Sequence, residues 1–335
     1  MRANGGRHPP FAPLPMKILV AVQGLDPVQK ARLSRALSGH TVIFADALAT
    51  NDERRWAVSG AEVVFGNVPA PWLADAADLR WVQLDSAGAD AYLGVNLGRA
   101  SPVTLTNLGD FYGRAVSEAA LAGILAFYRR LPPLLAAQRA RRWVKPEVEP
   151  GIGRLHGAQV VILGAGSIGG RLAGLLRAFE CPVQCFARRS PAAGLHTLAE
   201  LDAALPGADL LINTLPHAPE TVNLLDGPRL ARLPDSALLV NMGRGSAVDE
   251  TALVAALDAG RLAGAVLDVT AQEPLPPSSP LWTHPRVILT QHTGGRFPGE
   301  ADAKIDVFVA NFGRFVQGHA LHSRVQLATE VVLPL

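Results

Sequence analysis

Short runs of apolar residues alternate along this chain with longer stretches whose apolar positions recur at helical spacing. From residue 16 onward, Ile18–Val22, Val42–Ala45, Val63–Phe65, Trp81–Leu84 and Val103–Thr106 read as strands. Most are separated by segments long enough for crossover helices, so the rhythm predicts a mostly parallel sheet covered on both faces. Between Ser117 and Leu131 the pattern changes: Ala119, Ala120, Ile124, Phe127 and Tyr128 predict one long helix, which Pro132-Pro133 should end. Such a helix between two α/β units is a natural hinge. A second strand–helix series follows, with Val160–Leu163, Val183–Phe186, Leu210–Asn213, Leu238–Asn241, Ala265–Asp268 and Val287–Thr290 as strands. After Gly295 another helical run, through Phe308 and Phe312, is expected to pack back on the first unit. The predicted division is therefore 16–107 with 291–335 for one discontinuous domain and 108–290 for the other.

Composition narrows the class. With 335 residues, 49% hydrophobic and 18% charged, the chain can bury two cores. A net charge of +2 gives no nucleic-acid footprint. Two cysteines, Cys181 and Cys185, make neither a disulfide framework nor a four-ligand zinc set, so no metal is expected and a reducing, cytoplasmic setting is. Residues 1–15 hold four prolines and an adjacent glycine pair and read as a disordered leader, with Met16 an alternative first residue. No apolar run is long enough to span a membrane.

Candidate chemistry begins at Gly164-Ala165-Gly166-Ser167-Ile168-Gly169, between the strand Val160–Leu163 and a helical face made by Ile168, Leu172, Leu175 and Phe179. In that context the first glycine permits a tight turn, the second lets backbone approach a pyrophosphate, and the third lets helix and strand pack closely. Amides and the helix dipole would then favour the diphosphate of a dinucleotide. Cofactor choice is read after the next strand, where an acid usually binds the ribose 2′-hydroxyl of NAD. Here Ala187-Arg188-Arg189-Ser190 offers two guanidinium groups and no acid, which favours the 2′-phosphate of NADP and leaves NAD possible.

Three further residues fall at successive predicted strand ends: Arg244 within Asn241-Met242-Gly243-Arg244-Gly245, Glu273 in a loop after Ala265–Asp268, and His292 after Val287–Thr290. Open α/β sheets bind ligands along that rim. Reduction of a 2-oxo acid needs a fixed cation for the carboxylate and a proton donor at the carbonyl oxygen. Histidine titrates near neutrality, and a carboxylate beside it favours the charged ring.

With these motifs in place, the chain resembles the D-isomer-specific 2-hydroxyacid dehydrogenases, a family that includes glyoxylate/hydroxypyruvate reductases. The resemblance runs from Met16 to about residue 320 and also rests on Trp81–Asp90 and Val116-Ser117-Glu118. It implies an α/β fold of two doubly wound parallel-sheet domains, a flavodoxin-like substrate domain and a Rossmann dinucleotide-binding domain, joined by hinge helices. It implies catalysis by Arg244, Glu273 and His292, with Arg244 on the substrate carboxylate and carbonyl, His292 as acid/base and Glu273 orienting it. Backbone amides at Ala87 and Gly88 would take the other carboxylate oxygen. Gly164, Gly166, Ser167, Ile168, Gly169, Arg188, Arg189, Pro216 and Asp268 would bind the cofactor, Asp268 through the nicotinamide carboxamide. In the reductase branch a Trp on the arm after the long helix can reach the partner subunit, so Trp143 points to a homodimer. Gln291 departs from the proline that commonly precedes the catalytic His, whereas Glu273 keeps the acid that formate dehydrogenases replace by Gln. The implied function is reduction of small 2-oxo acids to D-2-hydroxy acids with NADP preferred. The alternative is a dinucleotide-sensing, corepressor-like binding protein on the same scaffold. Short-chain enzymes are excluded because none of Tyr92, Tyr112 and Tyr128 has Lys four residues on.

Overall fold

The computed structural model describes residues 14–98 and 103–326. Most of the expected leader (1–13) and the end of the predicted first domain (327–335) lie outside the described residues. The chain divides into two compact units, one formed by residues up to Gly109 and from Gly299, the other by Asp110–Pro298.

The first unit carries β1 (Lys17–Val20), β2 (Thr41–Phe44), β3 (Val63–Phe65), β4 (Trp81–Gln83) and β5 (Thr104–Thr106). They form a parallel sheet in the order β2-β1-β3-β4-β5, the flavodoxin-like arrangement. The predicted return of the chain is present as the helix Glu300–Val316. Its Ile305, Phe308 and Phe312 recur at helical spacing and enter the core with Ile18, Val20, Phe65 and Trp81. Phe308 stacks on Phe65 at 4.2 Å between centroids and on Trp81 at 5.3 Å. Trp81 is fully buried, and its indole N–H donates to Thr106 Oγ1 at 2.8 Å, so no polar group is lost in this packing.

The second unit carries β6 (Val160–Leu163), β7 (Val183–Phe186), β8 (Leu210–Asn213), β9 (Leu238–Asn241), β10 (Gly264–Leu267) and β11 (Val287–Leu289). All pair in parallel in the order β11-β10-β9-β8-β6-β7. Beyond β7, among the described residues, the sheet continues as a single parallel bridge from Phe186 to Leu195. Pro191 and Gly194 interrupt that segment, and neither residue supports a ladder. Among the described residues, no helix is long and apolar enough to cross a membrane.

Two expectations are corrected. The long helix runs from Gly113 to Tyr128 rather than Ser117 to Leu131, and Pro132-Pro133 does not end it. Arg130 turns into the left-handed region (φ 55°), and the prolines instead lie in the first turn of a new helix, Leu131–Arg139. A missing N–H costs nothing there, because the first-turn amides have no partner within the helix. The helix Gly113–Tyr128 also belongs to the second unit: Val116, Ala120 and Ile124 are buried against Ile162, Ile212 and Val240. A Cβ at its Gly123 would stand 2.5 Å from Val266 Cγ1, so glycine sets how closely helix and sheet approach. The return to the first unit comes at Gly299 rather than residue 291, because the segment after β11 is bonded to the end of β10 through Asp268.

Candidate active site

The glycine turn has the form the sequence predicts. Gly164 leaves β6 at φ 105°, where an added Cβ would meet Thr214 Oγ1 at 2.5 Å. A Cβ on Gly169 would be 2.0 Å from Gly164 O, so turn and helix touch through backbone. Around Gly166, by contrast, the space is open. Gly166 caps the helix Ser167–Ala178 with no side-chain hydrogen bond to its first turn. Tight turn, open approach and close packing thus fall on the three glycines in the roles a pyrophosphate cradle needs, and the residues present fit a dinucleotide. Ser167 and Ile168, in the first turn, are half-buried. Thr214 Oγ1 donates to Leu163 O at 2.8 Å and so ties the loop after β8 to the cradle. Pro216 lies in that loop, its carbonyl accepting from Thr221 Oγ1 at 2.9 Å. Arg188 and Arg189 are exposed beyond the end of β7.

Strands β8 and β9 share a device the sequence reading missed. Leu-Leu-Ile-Asn and Leu-Leu-Val-Asn both close an apolar run with asparagine. These two side chains are buried and bonded to each other, Asn213 Nδ2 to Asn241 Oδ1, at 2.9 Å. Asn213 Oδ1 then accepts from Leu215 N, while Asn241 accepts from Gly243 N and donates to Arg244 O. One buried amide pair therefore shapes both the loop of Pro216 and the loop of Arg244. Arg244 has extended backbone and a half-buried side chain whose Nη1 donates to Gly243 O at 2.9 Å. A Cβ on the adjacent Gly245 would be 1.9 Å from Thr270 C and O. The backbone of the arginine loop thus lies directly against the loop that follows β10.

That second loop carries the acid. Glu273 Oε1 accepts from Thr270 N at 3.0 Å, and Glu250 Oε1 accepts from Ala271 N at 2.6 Å, fixing the loop from both sides. Glu273 Oε2 lies 2.6 Å from His292 Nδ1. The predicted acid–histidine pair is therefore formed between residues 19 positions apart in sequence. The pair lines a cavity of about 390 Å³ together with Asp268, Thr270, Leu275, Trp282 and Gln291. Gln291 and His292 both have left-handed backbone, φ 55° and 57°. Proline, fixed near −65°, has no such conformation, so Gln291 belongs with this turn.

What holds the turn is Asp268. Its carboxylate is buried and accepts from Thr290 Oγ1 (2.5 Å), Thr293 N (3.0 Å) and Gly294 N (3.1 Å). A Cβ on Gly294 would approach Asp268 Oδ2 to 2.7 Å. These bonds keep His292–Pro298 with the second unit. Phe111 and Tyr112 lie against Phe297 and Gly295 of the same segment. Ala87 and Gly88 stand in the first unit on the loop after β4. There Ala87 O accepts from Asn107 Nδ2 (2.6 Å) and Gly88 O from Ser86 Oγ (2.7 Å).

Comparison with known proteins decides the family. Residues 121–294 match the family model described as the D-isomer specific 2-hydroxyacid dehydrogenase, NAD binding domain. The chain belongs to the D-isomer-specific 2-hydroxyacid dehydrogenase family. A solved member from Aeromonas salmonicida is 31% identical, with 93% of this chain and 99% of that one covered and a TM-score of 0.77. Another, from Xanthobacter autotrophicus in complex with NADPH, is 28% identical over 93% and 98% of the two chains, TM-score 0.76. An NADPH-dependent glyoxylate/hydroxypyruvate reductase from Sinorhizobium meliloti is 26% identical over 92% and 98%, TM-score 0.76. As a member of this family the chain is an NAD(P)-dependent oxidoreductase of the 2-hydroxyacid dehydrogenase type.

Proposed function

We propose that this protein is an NADP-preferring reductase of small 2-oxo acids of the glyoxylate and hydroxypyruvate type, forming D-2-hydroxy acids. The observation that carries the reading is the 2.6 Å bond between His292 Nδ1 and Glu273 Oε2, in the unit that also carries the glycine cradle. With Nδ1 held by the carboxylate, Nε2 is the ring atom that gives a proton to a carbonyl oxygen. Arg244, on the neighbouring loop, binds the substrate carboxylate and draws charge toward the carbonyl oxygen. A nicotinamide cofactor held by the glycine cradle would supply the hydride for the carbonyl carbon. As the oxygen gains negative charge it takes the imidazolium proton, and Glu273 steadies the charged ring before transfer. Two solved neighbours named as NADPH-dependent glyoxylate/hydroxypyruvate reductases, both from Sinorhizobium meliloti, support this substrate class and cofactor.

Initial rates with NADPH and NADH, each against glyoxylate, hydroxypyruvate, phenylpyruvate and pyruvate, test the reading. NADPH should sustain faster turnover of the first two substrates than NADH does. Silence on all four while NADP(H) still binds would reject this substrate class and leave an unusual substrate or the sensing alternative.

A homodimer is part of the same reading. Trp143 is 89% exposed in the single chain, beside a groove lined by Leu134, Ala137, Val144, Val148 and Ile152. Light scattering should give a mass near twice 35.3 kDa, and a monomer at micromolar concentration would count against it. The two cysteines are buried, with burial pushing both thiols up from their ordinary range, so both read as unreactive core residues.

A further inference from the structure

The turn after β7 holds two arginines and no acid, yet a carboxylate reaches it from another element. Glu220 Oε1 lies 4.0 Å from Arg188 Nη2. The Glu220 side chain is 20% exposed and that of Arg188 is 39% exposed, so the acid is the more enclosed partner. Glu220 sits on the short turn Pro219–Thr221 in the loop after β8. That turn is held by Thr221, whose Oγ1 accepts from Ala218 N at 2.9 Å and donates to Pro216 O at 2.9 Å. In the sheet β6 lies between β8 and β7. The loop that carries Glu220 therefore reaches across the end of β6, where the glycine cradle begins, to the arginine turn.

A ribose 2′-hydroxyl is recognised by an acid at this place in a dinucleotide fold, and a 2′-phosphate by arginine. This chain brings both kinds of group to one point from two loops. We propose that Glu220 is a cofactor-specificity residue. It supplies from the loop after β8 the carboxylate that the turn after β7 lacks, favouring a ribose 2′-hydroxyl and opposing a 2′-phosphate at Arg188. The inference rests on the reading of Arg188 as a cofactor residue given above. A phosphate at Arg188 places like charges near each other at a partly shielded surface, where a unit charge counts for less than in a core but more than in bulk water. Glu220 thus narrows the NADP preference that the two arginines alone would set, and it makes NAD a workable cofactor.

Calorimetric titration of the full chain with NADP+ and with NAD+, without substrate, reads this directly. Four proteins are compared: the unaltered chain, Glu220→Gln, Arg188→Leu and the double variant. Glu220→Gln keeps the shape of a surface side chain and removes only its charge. It should raise the ratio of NADP+ to NAD+ affinity by about three- to tenfold, and the rise should shrink in the Arg188→Leu background, where no guanidinium holds a 2′-phosphate beside the acid. If Arg188→Leu weakens NADP+ but Glu220→Gln leaves the ratio unchanged or lowers it, the role of Glu220 is overturned while the arginine reading stands. The same rise in both backgrounds overturns the opposition at Arg188 and leaves Glu220 acting on the ribose hydroxyl alone. If Arg188→Leu leaves NADP+ affinity untouched, the cofactor reading itself fails and this inference falls with it. None of these outcomes depends on turnover, so an inactive enzyme with intact binding does not obscure the result.

Discussion

Replacing His292 by alanine is expected to lower kcat by about 10²- to 10⁴-fold, the usual contribution of a positioned acid/base group, while NADPH binds as it does to the unaltered protein. The imidazole is 54% exposed, so its removal opens no core. The turn around it is held by the Asp268 carboxylate through Thr290, Thr293 and Gly294 rather than by the ring. Because residue 292 has φ 57°, asparagine is a useful second variant: it tolerates left-handed backbone and cannot act as the acid. His292→Ala and His292→Asn should lose turnover to a similar degree. Glu273→Gln keeps shape and an acceptor oxygen but loses the charge that steadies the imidazolium, and it should lose less. Single-turnover rates beside fluorescence titration of NADPH separate chemistry from binding. A parallel loss of both in His292→Asn would show that residue 292 holds the fold of the site and not the proton.

Much of this arrangement is legible in the sequence because parallel strands buried on both faces leave a strong trace. Runs such as Val160–Leu163 and Leu210–Asn213 have no other plausible use, and they emerge as strands with those bounds. Strand ends read less well: Val22 and Leu84 continue the apolar pattern and are buried, but lie beyond β1 and β4. The Pro132-Pro133 pair shows a different limit. Proline marks a helix boundary without saying which side of it the helix is on, and here the left-handed Arg130 ends one helix before the prolines open the next. The acid–histidine pair was legible because reactive side chains at strand ends share a rim whatever the loops between them do. What supports the pair was not. Asn213 and Asn241 each look like an ordinary turn residue, and their bond exists only because β8 and β9 are neighbours in the sheet. Glu220 likewise carries no local signal, its partner being set by a loop that passes over β6.

Asp268 is the residue whose sequence reading the geometry deepens most. The resemblance assigns it to the nicotinamide carboxamide, yet the residue is only 4% exposed and its carboxylate already receives Thr290 Oγ1, Thr293 N and Gly294 N. Bonds to an ionised acceptor are worth more than neutral ones, and a buried amide left without its acceptor costs about 1–3 kcal/mol. Asp268→Ala removes the acceptor for two backbone amides and one hydroxyl, so a loss of about 3 kcal/mol or more in unfolding free energy is expected. Asp268→Asn keeps one oxygen but sets an amide group where Oδ2 now faces Gly294 N, 3.1 Å away, and should cost about 1–2 kcal/mol. In both variants kcat should fall with stability, because the residue beside Thr293 is His292 itself and a loosened turn no longer presents the ring to Glu273. Denaturant unfolding without any cofactor decides between the two roles. If Asp268 serves mainly the nicotinamide, Asp268→Asn will unfold like the unaltered chain and lose only NADPH affinity. If it builds the turn, the loss will be present before any cofactor is added, and added NADPH will shift both proteins by the same amount.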